Sequence, residues 1–249
     1  MTAPILFISD LHLDGALPDI TKQFLEFLRT DARQAQALYI LGDLFEAWIG
    51  DDDPDIEKQT IQAALRELTD AGVRCFVMHG NRDFMIGRRF FKKTGCRLID
   101  DTTVVEIFDR RVLLLHGDTL CTDDHSYQRL RRRMRNPLLQ FVLRNLPLRT
   151  RYWLAGKLRA GSKAHIDKSM SVQSMTSIMD VNADTVVQTF KQQRVYIMVH
   201  GHTHRPCVHS LQIDNAPVTR IVLGDWYSQG SVLRWDERGY QLLSLARTG

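Results

Sequence analysis

No run of the 249-residue chain is apolar for long enough to cross a bilayer. The longest, such as Val112 to Leu115 and Val195 to Val199, fall far short of the roughly 20 residues a spanning helix needs. No charged n-region or cleavage site precedes the first apolar run, which follows Met1-Thr2-Ala3-Pro4 directly. The expectation is a protein of the cytosol, or one bound to the cytosolic face of a membrane. Cysteine pairs are also missing. Cys75, Cys96, Cys121 and Cys207 stand far apart, which speaks against a disulfide framework and predicts reduced thiols. Cys121 is expected to be a small half-buried residue, not a nucleophile. Internal repeats and low-complexity linkers are absent. The hydrophobic fraction of 44% and the charged fraction of 25% are those of an ordinary globular chain, long enough for one large domain or a domain with an insertion.

What the chain does have is five short polar islands, each closing an apolar, β-branched run. In order they are Asp10-Leu11-His12, Gly42-Asp43, Gly80-Asn81-Arg82-Asp83, His116-Gly117-Asp118 and Gly201-His202-Thr203-His204. Such runs read as buried strands, so the islands fall at strand ends, where α/β folds place their chemistry. Asp, Asn and His together suit borderline divalent ions such as Mn²⁺, Fe²⁺ or Zn²⁺. No island contains cysteine, which argues against a closed structural zinc site. Any one island is weak: a lone Asp-x-His is more often a structural accident and a lone Gly-Asn-Arg-Asp most often a turn. All five in this order point to two adjacent metals, which about 3.5–4 Å apart can clamp a phosphoryl group for in-line displacement.

This order of motifs resembles the calcineurin-like metallophosphoesterases over most of the chain. The resemblance implies an α/β fold, a four-layer α/β/β/α sandwich. It implies that Asp10, His12 and His204 bind one metal, that Asn81, His116 and His202 bind the other, and that Asp43 bridges. Asp83 is expected to orient a ligand imidazole from behind.

Apolar runs and helical patterns alternate to about residue 120: Ile5 to Ile8, a helix over Asp19 to Thr30, Ala37 to Leu41, a helix over Ile56 to Ala71, then Arg74 to Met78 and Arg111 to Leu115. After residue 195 strands dominate: Val195 to Val199, Val218 to Leu223, Ser231 to Trp235 and Tyr240 to Leu245, with a hairpin turn at Asp236-Glu237-Arg238-Gly239. Between these halves lies a helix-like stretch, giving expected boundaries of 1–123 and 183–249 for the core and 124–182 for a helical insertion, or lid. From His125 through Ile166 there is no Asp or Glu but there are eleven Arg and Lys. With a whole-chain charge of +4, the remainder carries about −7. Leu138, Leu139, Phe141, Val142, Leu143, Trp153 and Leu154 are interleaved with Arg144, Arg149, Arg151 and Lys157. Pro137 and Pro147 suit the first turns of two helices. The stretch also admits an ordinary helical lid with a solvated face and a nucleic-acid surface. The favoured reading is an interfacial surface for anionic headgroups and acyl chains, with Tyr152 and Trp153 at the polar boundary. No nucleic-acid partner and no obligate protein partner are expected.

One substitution narrows the chemistry. Where many metallophosphoesterases carry a histidine after the Asn of the third island, this chain has Arg82. Arginine does not act as an acid at neutral pH, but it holds phosphate bidentately. The site therefore suits a leaving group already stable as an anion, such as a phosphate released from a pyrophosphate. At this point the resemblance narrows to the UDP-2,3-diacylglucosamine diphosphatase family. It rests on Ile8 to Leu13, Gly42 to Glu46, His79 to Phe84, His116 to Asp124, Ile178 to Asn182 and His200 to Pro206. It implies two divalent ions, usually Mn²⁺, and release of lipid X and UMP by metal-activated water attacking the uridine-side phosphorus. It also implies a place in lipid A biosynthesis, peripheral to the cytoplasmic face of the inner membrane of Gram-negative bacteria. Asn81, Arg82 and His202 are then the catalytic candidates, and Asn81, Arg82, Asp124, Ser162, Lys168 and His202 the substrate contacts. Asp124 serves equally as a helix cap. The rivals are a nucleotide pyrophosphatase or cyclic-nucleotide phosphodiesterase without lipid preference, and a nuclease module. His200 is expected to pack within a strand, His125, His165 and His209 to lie on the surface or in loops, and Asp51-Asp52-Asp53 to form a solvated loop.

Overall fold

A computed structural model describes residues 2–157, 181–227 and 229–246. Two sheets lie face to face. In the first, β1 (Ile5–Ile8), β2 (Ala37–Leu41), β3 (Arg74–Met78) and β4 (Arg97–Ile99) run parallel. Antiparallel to β1 follow β10 (Gly230–Asp236) and β11 (Gly239–Leu245), giving the order β11-β10-β1-β2-β3-β4. The second sheet comprises β5 (Thr102–Ile107), β6 (Arg110–Leu115), β7 (Ile197–His200), β8 (Cys207–Ile213) and β9 (Ala216–Val222), ordered β5-β6-β7-β9-β8. Its central strands β6, β7 and β9 are parallel and its edge strands antiparallel.

Strand alternation explains the layers. Ile5, Phe7, Tyr39 and Leu41 point inward and meet Val112, Leu114, Val199 and Ile221 between the sheets. Leu6, Ile8, Leu38 and Ile40 point outward, onto α1 (Pro18–Arg29), α2 (Ile56–Asp70) and α3 (Arg88–Thr94), through Phe24, Phe27, Ile61, Leu65 and Phe90. On the far side, Leu113, Leu115 and Met198 pack against Val186 and Phe190 of α6 (Ala183–Gln193). The molecule is the expected α/β/β/α sandwich. Strands read as buried runs fall within two residues of expectation, and the 236–239 hairpin closes as read. Elements β4, β5, β8, α3 and α6 were not anticipated.

After β6 the chain leaves the sandwich as α4 (His125–Met134) and α5 (Pro137–Asn145), then helical residues 148–157. Pro137 occupies the first turn of α5, where its missing N–H costs nothing, and Asn136 caps that helix. Leu138, Phe141, Val142 and Trp153 are exposed, while Leu143 packs against the core. Among the described residues no helix is long and apolar enough to cross a membrane.

Candidate metal centre

Each of the five islands stands at the C-terminal end of a parallel strand: β1, β2, β3, β6 and β7. The loops beyond the strands are zipped to one another by backbone hydrogen bonds. Asp10 N donates to Gly42 O (3.1 Å), His12 N to Asp43 O (3.0 Å) and Gly201 N to His116 O (2.8 Å). The zipping holds Asp10, His12, Asp43, His202 and His204 at positive φ, between 50° and 70°, a backbone region that non-glycine residues adopt infrequently. Close approach requires glycine at Gly80, where a Cβ would stand 2.0 Å from Asp43 Oδ1.

The expected ligands converge. Asp10, His12 and His204 offer donor atoms within 4.8 Å of one another, as do Asp10, Asp43 and His116. His12 Nε2 and His204 Nε2 are 3.3 Å apart. Asn81 Oδ1 lies 2.9 Å from His116 Nε2 and 3.1 Å from His202 Nδ1. Between these groups Asp43 Oδ2 sits 3.8 Å from His12 Nε2 and 3.8 Å from His116 Nε2, the position of a shared carboxylate. Asp10 Oδ1 is buried with no aligned hydrogen bond, His204 Nε2 standing 3.4 Å away; a buried anion is costly unless a cation neutralises it. The donor set and this under-satisfied oxygen fit a divalent ion.

The electrostatics agree. Burial lifts the Asp43 carboxyl to about 6 against the pull of His116 and His12, with Asp83 and Asp10 adding repulsion. Burial also works against charge on Asp10, yet the bond with His204 and the nearby His116 and His12 hold its carboxyl well below the usual range. Burial disfavours a charged His116, but Asp43, Asp10 and Asp118 outweigh it and raise the imidazole to about 9. His204 rises to about 10 against its own burial, through bonds with Asp10 and Asp225. His202 falls to about 4, by burial and the neighbouring His116. Protons on His116 and His204 thus balance the carboxylates at the places where a metal cation would.

The supporting residues depart from expectation in part. Asp83 does not meet a ligand imidazole: it accepts from the backbone N–H of Leu44 (2.8 Å) and Gly80 (2.7 Å), and so fixes the loops carrying Asp43 and Asn81. The His116 ring is oriented by the Leu41 carbonyl, 2.8 Å from Nδ1. Asp51-Asp52-Asp53 is not a solvated loop. Asp51 accepts from Trp48 Nε1 and from the backbone N–H of Gly87, Arg89 and Phe90. Asp52 takes both nitrogens of the buried Arg151, and Asp53 takes Lys58 and the Tyr152 hydroxyl. Asp124 caps α4, accepting from Tyr127 N (2.8 Å) and Ser126 Oγ (2.7 Å). His200 packs within β7, fully buried, as expected. His125 opens α4, and His209 stands inside β8 instead of a loop. Ser162, His165 and Lys168 lie outside the described residues.

Three supporting carboxylates had no assigned role. Asp225 Oδ2 is 3.2 Å from His204 Nδ1. It follows Gly224 at the end of β9, a sixth Gly-Asp island with the same signature as the second. Glu46 stands between Arg82 and His12. Asp118 binds Arg131 Nε (2.6 Å) and the Tyr127 hydroxyl (3.0 Å).

The calcineurin-like phosphoesterase family model matches residues 3–206. The UDP-2,3-diacylglucosamine hydrolase of Pseudomonas paraeruginosa is 51% identical over 95% of this chain and 97% of its own. The protein so named from Pseudomonas fluorescens strain Pf0-1 is 52% identical, over 96% and 94%. That of Stutzerimonas stutzeri is 53% identical, over 95% and 96%.

Proposed function

The chain belongs to the calcineurin-like phosphoesterase family, and from that premise we propose that it hydrolyses the pyrophosphate bond of UDP-2,3-diacylglucosamine. The products are 2,3-diacylglucosamine 1-phosphate (lipid X) and UMP, in lipid A biosynthesis. The observation that carries the reading is the shared carboxylate: Asp43 Oδ2 is equidistant, at 3.8 Å, from the His12 and His116 nitrogens, with Arg82 at the rim. Identity above 50% to proteins named for this substrate supports the choice of substrate.

Asp10, His12 and His204 would hold one divalent ion in this reading and Asn81, His116 and His202 the second, with Asp43 available to both and Mn²⁺ the expected metal. When bound, such a pair supplies positive charge to phosphoryl oxygens and lowers the pKa of water. Arg82 binds the phosphoryl group undergoing attack and stabilises the charge that builds on its oxygens. Asn81 and His202, held against each other at 3.1 Å, flank the same group. Water attacks the uridine-side phosphorus. The departing sugar phosphate leaves as a stable anion, so a strong acid at the position of Arg82 is not required.

The lid proposed over 124–182 is described as far as residue 157. Exposed Leu138, Phe141, Val142 and Trp153, in a stretch whose sequence from 125 to 166 is rich in arginine and lysine and holds no acid, suit acyl chains below a layer of anionic headgroups. In this reading the enzyme works peripherally at the cytoplasmic face of the inner membrane. Asp124, Ser162 and Lys168 are the remaining proposed substrate contacts. The test is hydrolysis of the diacyl substrate beside UDP-N-acetylglucosamine and an alkyl phosphodiester, after chelation and after Mn²⁺ is restored. Metal-dependent turnover confined to the diacyl substrate is expected. Equal turnover of the other two removes the lipid assignment.

A further inference from the structure

The two oxygens of Glu46 face different halves of the site. Oε1 accepts a hydrogen bond from Arg82 Nη1. Oε2 lies 3.2 Å from His12 Nδ1. That nitrogen is buried and has no aligned hydrogen bond, while the opposite nitrogen of the ring faces His204 and Asp43. The backbone pins this arrangement. Glu46 N donates to Leu13 O (3.1 Å), Leu13 bridges Phe45, and the loop carrying Glu46 is thereby tied to the loop carrying His12. The Tyr227 ring lies flat on the His12 imidazole, 5.3 Å away and tilted by 6°, so the imidazole is held on its face as well as its edge.

We propose that Glu46 is a positioning residue that couples the metal ligand His12 to the phosphate-binding Arg82. The proposal rests on the metal and phosphate roles given to those two residues above. A carboxylate beside Nδ1 keeps the proton on that nitrogen and leaves the Nε2 lone pair for a metal. The other oxygen holds the guanidinium in one direction before substrate arrives, so less freedom is lost when phosphate binds. One side chain thus prepares both the ion and the anion that meets it. Asp225 faces His204 in the same way; the contact with Arg82 belongs to Glu46.

Glu46→Gln tests this, because an amide cannot accept at both ends. With its NH₂ toward His12 it donates to Nδ1 and drives the ring proton to Nε2, facing the metal. With its NH₂ toward Arg82 it sets a donor against a cation. Two quantities are read: Mn²⁺ affinity of the metal-free protein by titration calorimetry, and KM for the diacyl substrate at saturating Mn²⁺. We expect E46Q to weaken Mn²⁺ binding, KM to rise, or both, by about 10- to 100-fold for the metal. In an Arg82→Ala background, E46Q adds nothing further to KM. Glu46→Ala, which removes both contacts, is expected to show both losses and serves if E46Q folds poorly. Wild-type Mn²⁺ affinity and wild-type KM in both folded variants overturn the proposal, provided the wild-type protein binds Mn²⁺ and R82A raises KM. Failure of either of those two controls overturns the underlying metal or phosphate reading, and the linkage with it.

Discussion

At the scale of the residue, the site is built from backbone that its side chains would not choose. Asp10, His12, Asp43, His202 and His204 all sit at positive φ, at a cost on the order of 1 kcal/mol or more each. The zipped loops and the buried Asp83 hold them there. Gly80 shows how tight the fit is. Its Cβ would collide with Asp43 Oδ1 and with the Asp43 backbone nitrogen at 2.2 Å, so Gly80→Ala is expected to displace the shared carboxylate. We expect kcat/KM to fall by at least about 100-fold, roughly 2.7 kcal/mol; activity within a few-fold of wild type would show that Asp43 is not held where the geometry puts it. Asp225→Asn removes the carboxylate behind His204 and is expected to weaken Mn²⁺ binding by about 10- to 100-fold, measured by competition with a chelating dye. The candidate ligand types were legible because imidazole, carboxylate and amide recur at strand ends in one order. Glu46 and Asp225 were missed for different reasons. Glu46 carries no ligand spacing of its own, and Asp225 was passed over although Leu223-Gly224-Asp225 repeats the pattern of Leu41-Gly42-Asp43.

At the scale of the element, the insert is bolted to the loops that carry the ligands. On one side Arg131 binds Asp118 and Asp101, and Arg135 binds Asp101 and the carbonyls of His79 and Gly80 (3.2 and 3.1 Å). On the other, Arg151 reaches Asp52 and the Ile49 carbonyl. The insert therefore touches the chain immediately before Asn81 and shortly after Asp43. The Arg151 hydrogen bonds hold the Asp52 carboxyl below its ordinary value, against its burial. A lowered folded pKa stabilises the pair fully above about pH 4, the unfolded carboxylate value, and the contribution is lost as pH falls through the folded value. Amide exchange in residues 148–157 is thus expected to stay level from pH 7 to about pH 4 once the intrinsic rate is divided out, and to rise below it. A rise already near pH 6 would contradict the pairing. The central strands were legible because burial on both faces makes their sequences continuously apolar. Strands β5 and β8 lie at sheet edges and are half exposed, so their runs are broken by polar residues. Helix α6 buries only Val186 and Phe190, too little to announce its period. The Asp51-Asp52-Asp53 run looks solvated in sequence because, beside the local Trp48 and Lys58, its partners Arg151, Tyr152 and the N-terminus of α3 are remote along the chain.

At the scale of the whole molecule, positive charge is gathered in one stretch of the sequence, and its described part exposes apolar side chains. The +11 of residues 125–166 is set against about −7 elsewhere, and Leu138 and Phe141 are 77% and 69% exposed. This division was legible from composition alone, whereas the attachment of the insert to the metal loops was not, because it depends on pairings between distant residues. Trp153, over which Lys157 stands at 4.2 Å, is expected to lie at the headgroup boundary. Trp153→Glu should lower binding to vesicles containing anionic lipid and raise the apparent KM for the diacyl substrate; unchanged values of both would count against the interfacial role. The central claim is hydrolysis of a lipid-linked pyrophosphate by water at the uridine-side phosphorus. Its most direct test is turnover of UDP-2,3-diacylglucosamine with Mn²⁺ in ¹⁸O-labelled water, followed by mass analysis of both products. Label is expected in UMP and none in the diacylglucosamine 1-phosphate. Label in the sugar phosphate, or no turnover of the diacyl substrate, would contradict it.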